Sequence, residues 1–231
     1  MNWKTENRSF YYALAPEPDD PMLDTATTAL LIIDVQNTYL ERPNRASLAS
    51  EAERAHFDGW TPFHERMHGT VIPNIAELLG LFRAKGMERL FARIACRTQD
   101  GRDRSLSQKK PGFNNLLLPK NEHASQIVPE LAPQGDEITV IKTTDSALTG
   151  TNLRLILANL GIRTVICVGI FTDQCVSSTV RSLADESFDV VVLEDCCAAA
   201  TDDLHERELA IINMIYCNVM ALADLKSLMK F

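Results

Sequence analysis

The chain has no apolar run approaching the ~20 residues that a membrane-spanning helix needs; its longest, residues 29–33 and 164–171, fall far short. The start, Met1-Asn2-Trp3-Lys4-Thr5-Glu6-Asn7-Arg8, lacks an apolar segment behind a basic end. No secretory signal is read there, and a cytoplasmic protein is expected. Basic residues are in deficit, 23 against 31 acidic, for a formal charge of −8. That balance disfavours nucleic acid and anionic membranes as partners. Cysteine is sparse: six residues among 231, with no Cys-x-x-Cys pair, do not make a disulfide-stapled scaffold. No G-x-G-x-x-G or G-x-x-x-x-G-K-[ST] follows the first apolar run, which leads instead into Val35-Gln36-Asn37-Thr38. Dinucleotide and P-loop chemistry therefore fail on residues.

What is present is a rhythm of short apolar runs and amphipathic segments. Residues 1–28 carry Pro16, Pro18 and Pro21 without periodicity and read as an extended arm. Residues 29–33 form a wholly apolar run that ends in Asp34, which suits a strand buried on both faces. Residues 38–70 read as a polar, irregular insertion with one short helix at 47–56. A helix over 71–85 places Ile72, Ile75, Leu78, Leu79 and Phe82 on one face and ends at Gly86. Strands are expected at 88–95, 137–141, 163–169 and 189–193, with helices at 152–160 and 175–186 and a final one at 203–216. This βαβ alternation predicts an α/β fold: a three-layer α/β/α sandwich around a doubly wound, mostly parallel, Rossmann-like sheet. No linker divides residues 29–231, so one domain is expected beyond the arm.

Ligands in such sheets bind beyond the carboxyl ends of the strands. Three chemically distinct side chains fall there. Cys175 follows a strand and opens a helix, where the macrodipole and unpaired N–H groups favour a thiolate. Asp34 ends the first strand, and Lys142 ends the strand at 137–141. Each alone could be structural, and four or five of the six cysteines read as small buried hydrophobes. Together the trio offers a nucleophile, a proton acceptor and an electrostatic partner at one sheet edge.

His64-Glu65-Arg66-Met67-His68 matches the zinc-peptidase pattern H-E-x-x-H. Pro62 before it, and Gly69 and Pro73 after it, limit the expected helix to about two turns, and no third ligand is apparent. A solvated or lid-forming turn is the expectation. The loop 96–120 is basic within an acidic protein and reads as a pocket wall, with Arg97, Arg102 or Arg104 available for a polar substrate group.

Three stretches resemble the isochorismatase-like cysteine hydrolase superfamily: Leu31-Ile32-Ile33-Asp34-Val35-Gln36-Asn37, Lys142-Thr143-Thr144-Asp145-Ser146-Ala147-Leu148 through Leu153, and Gly169 to Val176. The resemblance covers about residues 27–225. It implies a catalytic triad of Cys175, Lys142 and Asp34, and a covalent mechanism. Asp34 would take the thiol proton, the thiolate would attack an amide or ureido carbonyl, and water would hydrolyse the thioester. It also implies a cis peptide at Ile170–Phe171 and an oxyanion hole built from the N–H groups of Phe171 and Cys175. Gln36, Tyr39, Arg97, Phe113, Ser146 and Phe171 are the implied substrate-binding positions.

Departures from the family pattern narrow the substrate. Residues 96–119 hold no histidine, which disfavours a metal-dependent nicotinamidase, so neither metal nor other cofactor is expected. Leu148, Phe171 and Tyr39 stand where the family commonly has other residues. The expected activity is hydrolysis of a small linear amide, preferably a ureido or carbamoyl compound, with release of ammonia. The alternatives are a vinyl ether hydrolase of the isochorismatase type, and a catalytically idle binding protein of the same fold. The resemblance also implies a homodimer or homotetramer.

Overall fold

The computed structural model describes residues 2–231. Six strands build one all-parallel sheet: β1 (Thr28–Ile33), β2 (Glu88–Ile94), β3 (Ile138–Lys142), β4 (Thr164–Ile170), β5 (Asp189–Ala198) and β6 (Asn218–Met220). Their spatial order is β3-β2-β1-β4-β5-β6. The order reverses between β1 and β4, which is where a doubly wound sheet opens its ligand crevice. Every residue of β1 and β4 is buried, as strands covered on both faces must be.

Helices α1 (Asn37–Leu40), α2 (Glu51–Gly59), α3 (Thr61–Arg66), α4 (Ile72–Ala84), α5 (Leu106–Lys109), α6 (Leu153–Asn159), α7 (Ser177–Asp185), α8 (Asp202–Ile212) and α9 (Leu222–Met229) complete the chain. Strand alternation divides the core in two. Leu30 and Ile32 of β1 face α4 and α9, with Ile75, Leu79, Phe82 and Leu225 in one cluster. Leu31 and Ile33 face the other layer, with Leu157 of α6, Val180 of α7 and Leu209 of α8. Each fully buried side chain of this kind contributes roughly 1.5–3 kcal/mol. The sandwich expected from the apolar rhythm is therefore present, with the α4 face as read from its spacing.

Several local expectations need correction. Residues 38–70 are mostly helical rather than irregular, and the helix expected at 47–56 is α2, shifted to Glu51–Gly59 behind a Ser50 and Glu53 capping box. The chain does not break near Gly69–Pro73. It stays helical from Thr61 to Ala84 through a π-turn at Met67–Val71. Pro73 lies in the first turn after that π-turn, where the change of hydrogen-bond pattern accommodates its missing N–H. α8 is not the last helix: β6 and α9 follow it. β5 runs on to Ala198, so Asp195, Cys196 and Cys197 lie within the strand.

The arm before β1 is folded against the body. Trp3 is buried, and Asn213 Nδ2 donates to the Glu6 and Asn7 carbonyls at 3.1 and 3.0 Å. Arg8 gathers the arm through bonds to the Lys4, Ala15 and Pro16 carbonyls. Among the described residues, no helix is long and apolar enough to cross a membrane.

Gly169 brings the ends of β1 and β4 together. Its φ is +118°, and a Cβ there would lie 2.0 Å from the Ile33 carbonyl oxygen. Only glycine allows this approach. The consequence is local: Asp34, one residue past Ile33, is carried beside the turn that follows β4.

Candidate active site

Asp34 leaves β1 in a left-handed conformation, φ +55°, with its N–H donating to the Ala92 carbonyl at 2.9 Å. That turn points the carboxylate along the carboxyl edge of the sheet. Lys142 ends β3 and reaches the same point. Its Nζ lies 2.6 Å from Asp34 Oδ2 and 3.3 Å from Cys175 Sγ, and it donates to the Thr144 carbonyl at 3.1 Å. Apart from that ion pair, both Asp34 carboxylate oxygens are buried without a hydrogen-bond partner. All three residues are buried, Asp34 and Lys142 to 1% exposure and Cys175 to 6%. The structure thus brings together three side chains that the sequence holds 33 to 141 residues apart.

Cys175 does not begin its helix. The peptide Ile170–Phe171 is cis, as the resemblance implies, and a π-turn over Thr172–Val176 precedes α7. Within it the Val176 N–H reaches back to the Phe171 carbonyl at 3.2 Å. Burial, more than helix position, sets the thiol's protonation. It pushes the Cys175 pKa well up, against the Lys142 charge, and Asp34 adds to the rise. Burial also raises the Asp34 pKa despite Lys142. For Lys142, burial opposes the ammonium, but the charges of Asp34 and Cys175 outweigh it and the pKa is raised. Burial thus favours the neutral thiol at Cys175.

A second carboxylate was missed in the sequence. Asp145 Oδ1 lies 3.9 Å from Cys175 Sγ and accepts a bond from Gln108 Nε2 at 3.4 Å. Its signal was only its place three residues after Lys142.

The six expected substrate-binding positions separate into two groups. Tyr39, Phe113 and Phe171 line one cavity of about 360 Å³, where Phe171 meets the Tyr39 ring edge-on at 5.3 Å between centroids. Gln36, Ser146 and Arg97 do not line it. Gln36 Nε2 donates to the Ile94 and Ser125 carbonyls while its Oε1 accepts from Ile94 N–H, so its amide is fully used in tying β1 to its neighbours. Ser146 Oγ donates to Ser182 Oγ and accepts from Leu148 N–H, fastening the turn after β3 to α7. Arg97 is exposed, with its backbone N–H on Asp103. Arg102 pairs with Asp100, and Arg104 binds the Gly101, Gln108 and Leu116 carbonyls of its own loop. The basic loop thus spends Arg102 and Arg104 on its own folding.

The remaining cavity wall comes from the segment 38–70. Trp60 stacks on Phe113 at 5.6 Å and 13°, and His64 stands beside them. Burial and the nearby Arg42 lower the His64 pKa to about 4, so the ring is neutral near pH 7. His64 and His68 stack with 6.3 Å between centroids. Among the described residues, no group of three or more His, Cys, Asp or Glu side chains is arranged to hold a metal ion.

A family model described as the isochorismatase domain matches residues 28–224. A ureidoacrylate amidohydrolase, RutB, from Methylobacterium radiotolerans is 29% identical over 93% of this chain and 84% of its own length. An isochorismatase-like hydrolase from Alkaliphilus metalliredigens superposes with a TM-score of 0.67 at 26% identity, covering 88% of this chain and 99% of that one. A cysteine hydrolase from Pseudomonas syringae pv. phaseolicola shares the fold with a TM-score of 0.77 at 20% identity, over 94% and 99% of the two chains. With a family match over most of its length and a sheet of the same architecture, the chain belongs to the isochorismatase domain family.

Proposed function

We propose that this hydrolase of C–N amide bonds acts through Cys175 as nucleophile, on a small ureido or carbamoyl compound, with release of ammonia. The observation that carries the reading is the buried Lys142 ammonium, 2.6 Å from Asp34 and 3.3 Å from Cys175. It holds a carboxylate and a thiol in one electrostatic unit.

The chemistry follows from the charges. With the carbonyl carbon against Sγ, Asp34 takes the thiol proton while Lys142 stabilises the sulfur anion at the moment of attack. The S–C bond forms, and the oxyanion is held by the N–H groups of Phe171 and Cys175 in the turn before α7. Collapse breaks the C–N bond, and ammonia leaves with the proton from Asp34. Asp34 then deprotonates a water, which hydrolyses the thioester and returns the proton to sulfur.

Ammonia release from a panel of ureido and carbamoyl compounds tests the reading, together with mass spectrometry of a quenched reaction. The expected result is turnover with an acyl adduct on Cys175, and loss of both in Cys175→Ala. Full turnover by Cys175→Ala would overturn it, and retention of isochorismate cleavage by that variant would favour vinyl ether hydrolysis instead.

A further inference from the structure

The two carboxylates beside Cys175 differ in what holds them. Asp34 is 1% exposed, and its Oδ2 lies 2.6 Å from the Lys142 ammonium. Asp145 is half-buried, and among the described residues it makes no ion pair. Its Oδ1 stands 3.9 Å from Cys175 Sγ and receives one long bond, 3.4 Å, from Gln108 Nε2. Among the described residues, neither Asp145 Oδ2 nor Gln108 Oε1 accepts a hydrogen bond. The Tyr39 phenol is raised in pKa by burial and then by the charges of Asp34, Cys175 and Asp145, so the three groups share one space.

Asp145 is open but not loose. Thr144 Oγ1 bonds to the Ser146 and Thr149 carbonyls at 2.9 Å, and the Ala147 N–H donates to Thr179 Oγ1 of α7 at 3.0 Å. The turn that carries Asp145 is thereby tied on both sides. Gln108, 4% exposed, is set by its own N–H on Ser105 Oγ at 3.3 Å and by Arg104 Nη1 on its carbonyl at 3.1 Å. Arg104 thus connects the basic loop to the site through Gln108. A fixed carboxylate with a spare oxygen, next to the sulfur and without a cation, is an acceptor for an N–H of the substrate.

A carbonyl carbon seated on sulfur has two substituents besides its oxygen. The leaving nitrogen belongs beside Asp34, which hands it a proton, and the retained substituent then faces the other carboxylate. We infer that Asp145, held by Gln108, is a specificity residue that accepts the N–H of the retained nitrogen and so selects ureides, R–NH–CO–NH₂, over carboxamides, R–CH₂–CO–NH₂. The inference rests on the proposed cysteine chemistry for the placing of the leaving group. An N–H fills the open oxygen, whereas a methylene shields it from water and leaves it without a partner. Asp145 neither gains nor loses a proton. Sulfur bonds to the ureido carbon, the C–NH₂ bond breaks, and ammonia leaves with the proton from Asp34. Water then cleaves the S–C bond, and the N-alkylcarbamic acid falls to the amine and carbon dioxide.

Methylurea and propionamide, which differ by N–H against CH₂ at that position, test the inference. Their kcat/KM ratio is measured in the wild type, Asp145→Ala, Asp145→Asn and Gln108→Leu. The ratio of methylurea to propionamide is expected to fall at least about tenfold in Asp145→Ala. The fall should be smaller in Asp145→Asn, which keeps an acceptor oxygen, and in Gln108→Leu, which keeps the carboxylate. Intrinsic differences between ureas and amides cancel in this comparison, and a purely structural loss, shared by both compounds, leaves the ratio unmoved. An unchanged ratio in Asp145→Ala would overturn the inference while leaving the cysteine chemistry standing. Where the wild type hydrolyses neither compound, ligand-observed NMR on Cys175→Ala decides. Preferential binding of methylurea, lost when Asp145→Ala is added, would support the acceptor and count against the cysteine chemistry; no preference for methylurea would overturn the inference.

Discussion

His205 Nδ1 stands 2.7 Å from Thr172 Oγ1, linking α8 to the turn that carries Cys175. The ring's other nitrogen, Nε2, lies 2.9 Å from Arg66 Nη2. A guanidinium can only donate, so Nε2 accepts and the proton resides on Nδ1, from which it is donated to Thr172. Arg66 is itself fixed by bonds to the Glu194 and Cys197 carbonyls of β5. A chain of donors thus runs from the segment 38–70 through a buried imidazole to the residue after the cis peptide. His205 touches neither thiol nor cavity; it positions the turn that carries Cys175.

Removal of that imidazole should loosen the turn. His205→Ala is expected to lower kcat by roughly ten- to a hundredfold with a smaller change in KM, the pattern of a misplaced reacting group. His205→Asn, whose amide can donate from near the place of Nδ1, should recover a large part of the loss. A purely structural role would instead lower active fraction and leave kcat per active site unchanged, as titration of reactive thiol would reveal. Stability should carry a signature too. Burial, with the Arg66 charge, lowers the His205 pKa to about 4, so the unfolded chain binds a proton below pH ~6.5 that the native state refuses. The wild type should therefore lose about 2–3 kcal/mol as pH falls from 6.5 towards 4. Urea titrations of wild type and His205→Asn across that range measure the difference.

The sandwich was legible because parallel strands buried on both faces leave unbroken apolar runs, and because α4 repeats its apolar residues with helical spacing. Asp34 and Lys142 were legible at strand ends and Cys175 in the turn after β4, and the family resemblance implied the roles proposed for them. The losses have separate causes. β6 has only three residues, too few for a period. The helical run through Pro73 depends on a π-turn, a feature no residue pattern announced. Gln36 and Ser146 belong to the family motifs, yet both are used up in hydrogen bonds that hold the site's frame. Trp60 and His64 reach the cavity only through the packing of α2 and α3, which polar composition had disguised as irregular chain.

Asp145 places a second carboxylate against the Cys175 thiol and raises its pKa further. Neutralising it should therefore ease thiolate formation. In Asp145→Asn, iodoacetamide is expected to label Cys175 several-fold faster at pH 7.5, with the labelling midpoint moved to lower pH. Peptide mapping of a timed alkylation gives the rate for each cysteine. An unchanged Cys175 rate would mean that the carboxylate is screened from the sulfur.

The Asp34–Lys142 pair should be costly to break from either side and much less costly to remove whole. Each partner is nearly unexposed, so Lys142→Met leaves a buried carboxylate without a counter-charge, and Asp34→Asn leaves a buried ammonium. Either change is expected to lower stability by about 3–5 kcal/mol. The double variant should cost clearly less than the two losses added together, because neither orphan charge remains. Activity should also report the pair. Since burial raises the Asp34 pKa, the acid limb of kcat/KM should lie above the ordinary carboxylate range, with activity lost as pH falls through it. Denaturant titrations of the four proteins, set beside a wild-type pH–rate profile, check both claims. Additive losses in the cycle would show that the two charges do not stabilise one another, and the electrostatic unit assigned to them would then have no energetic basis.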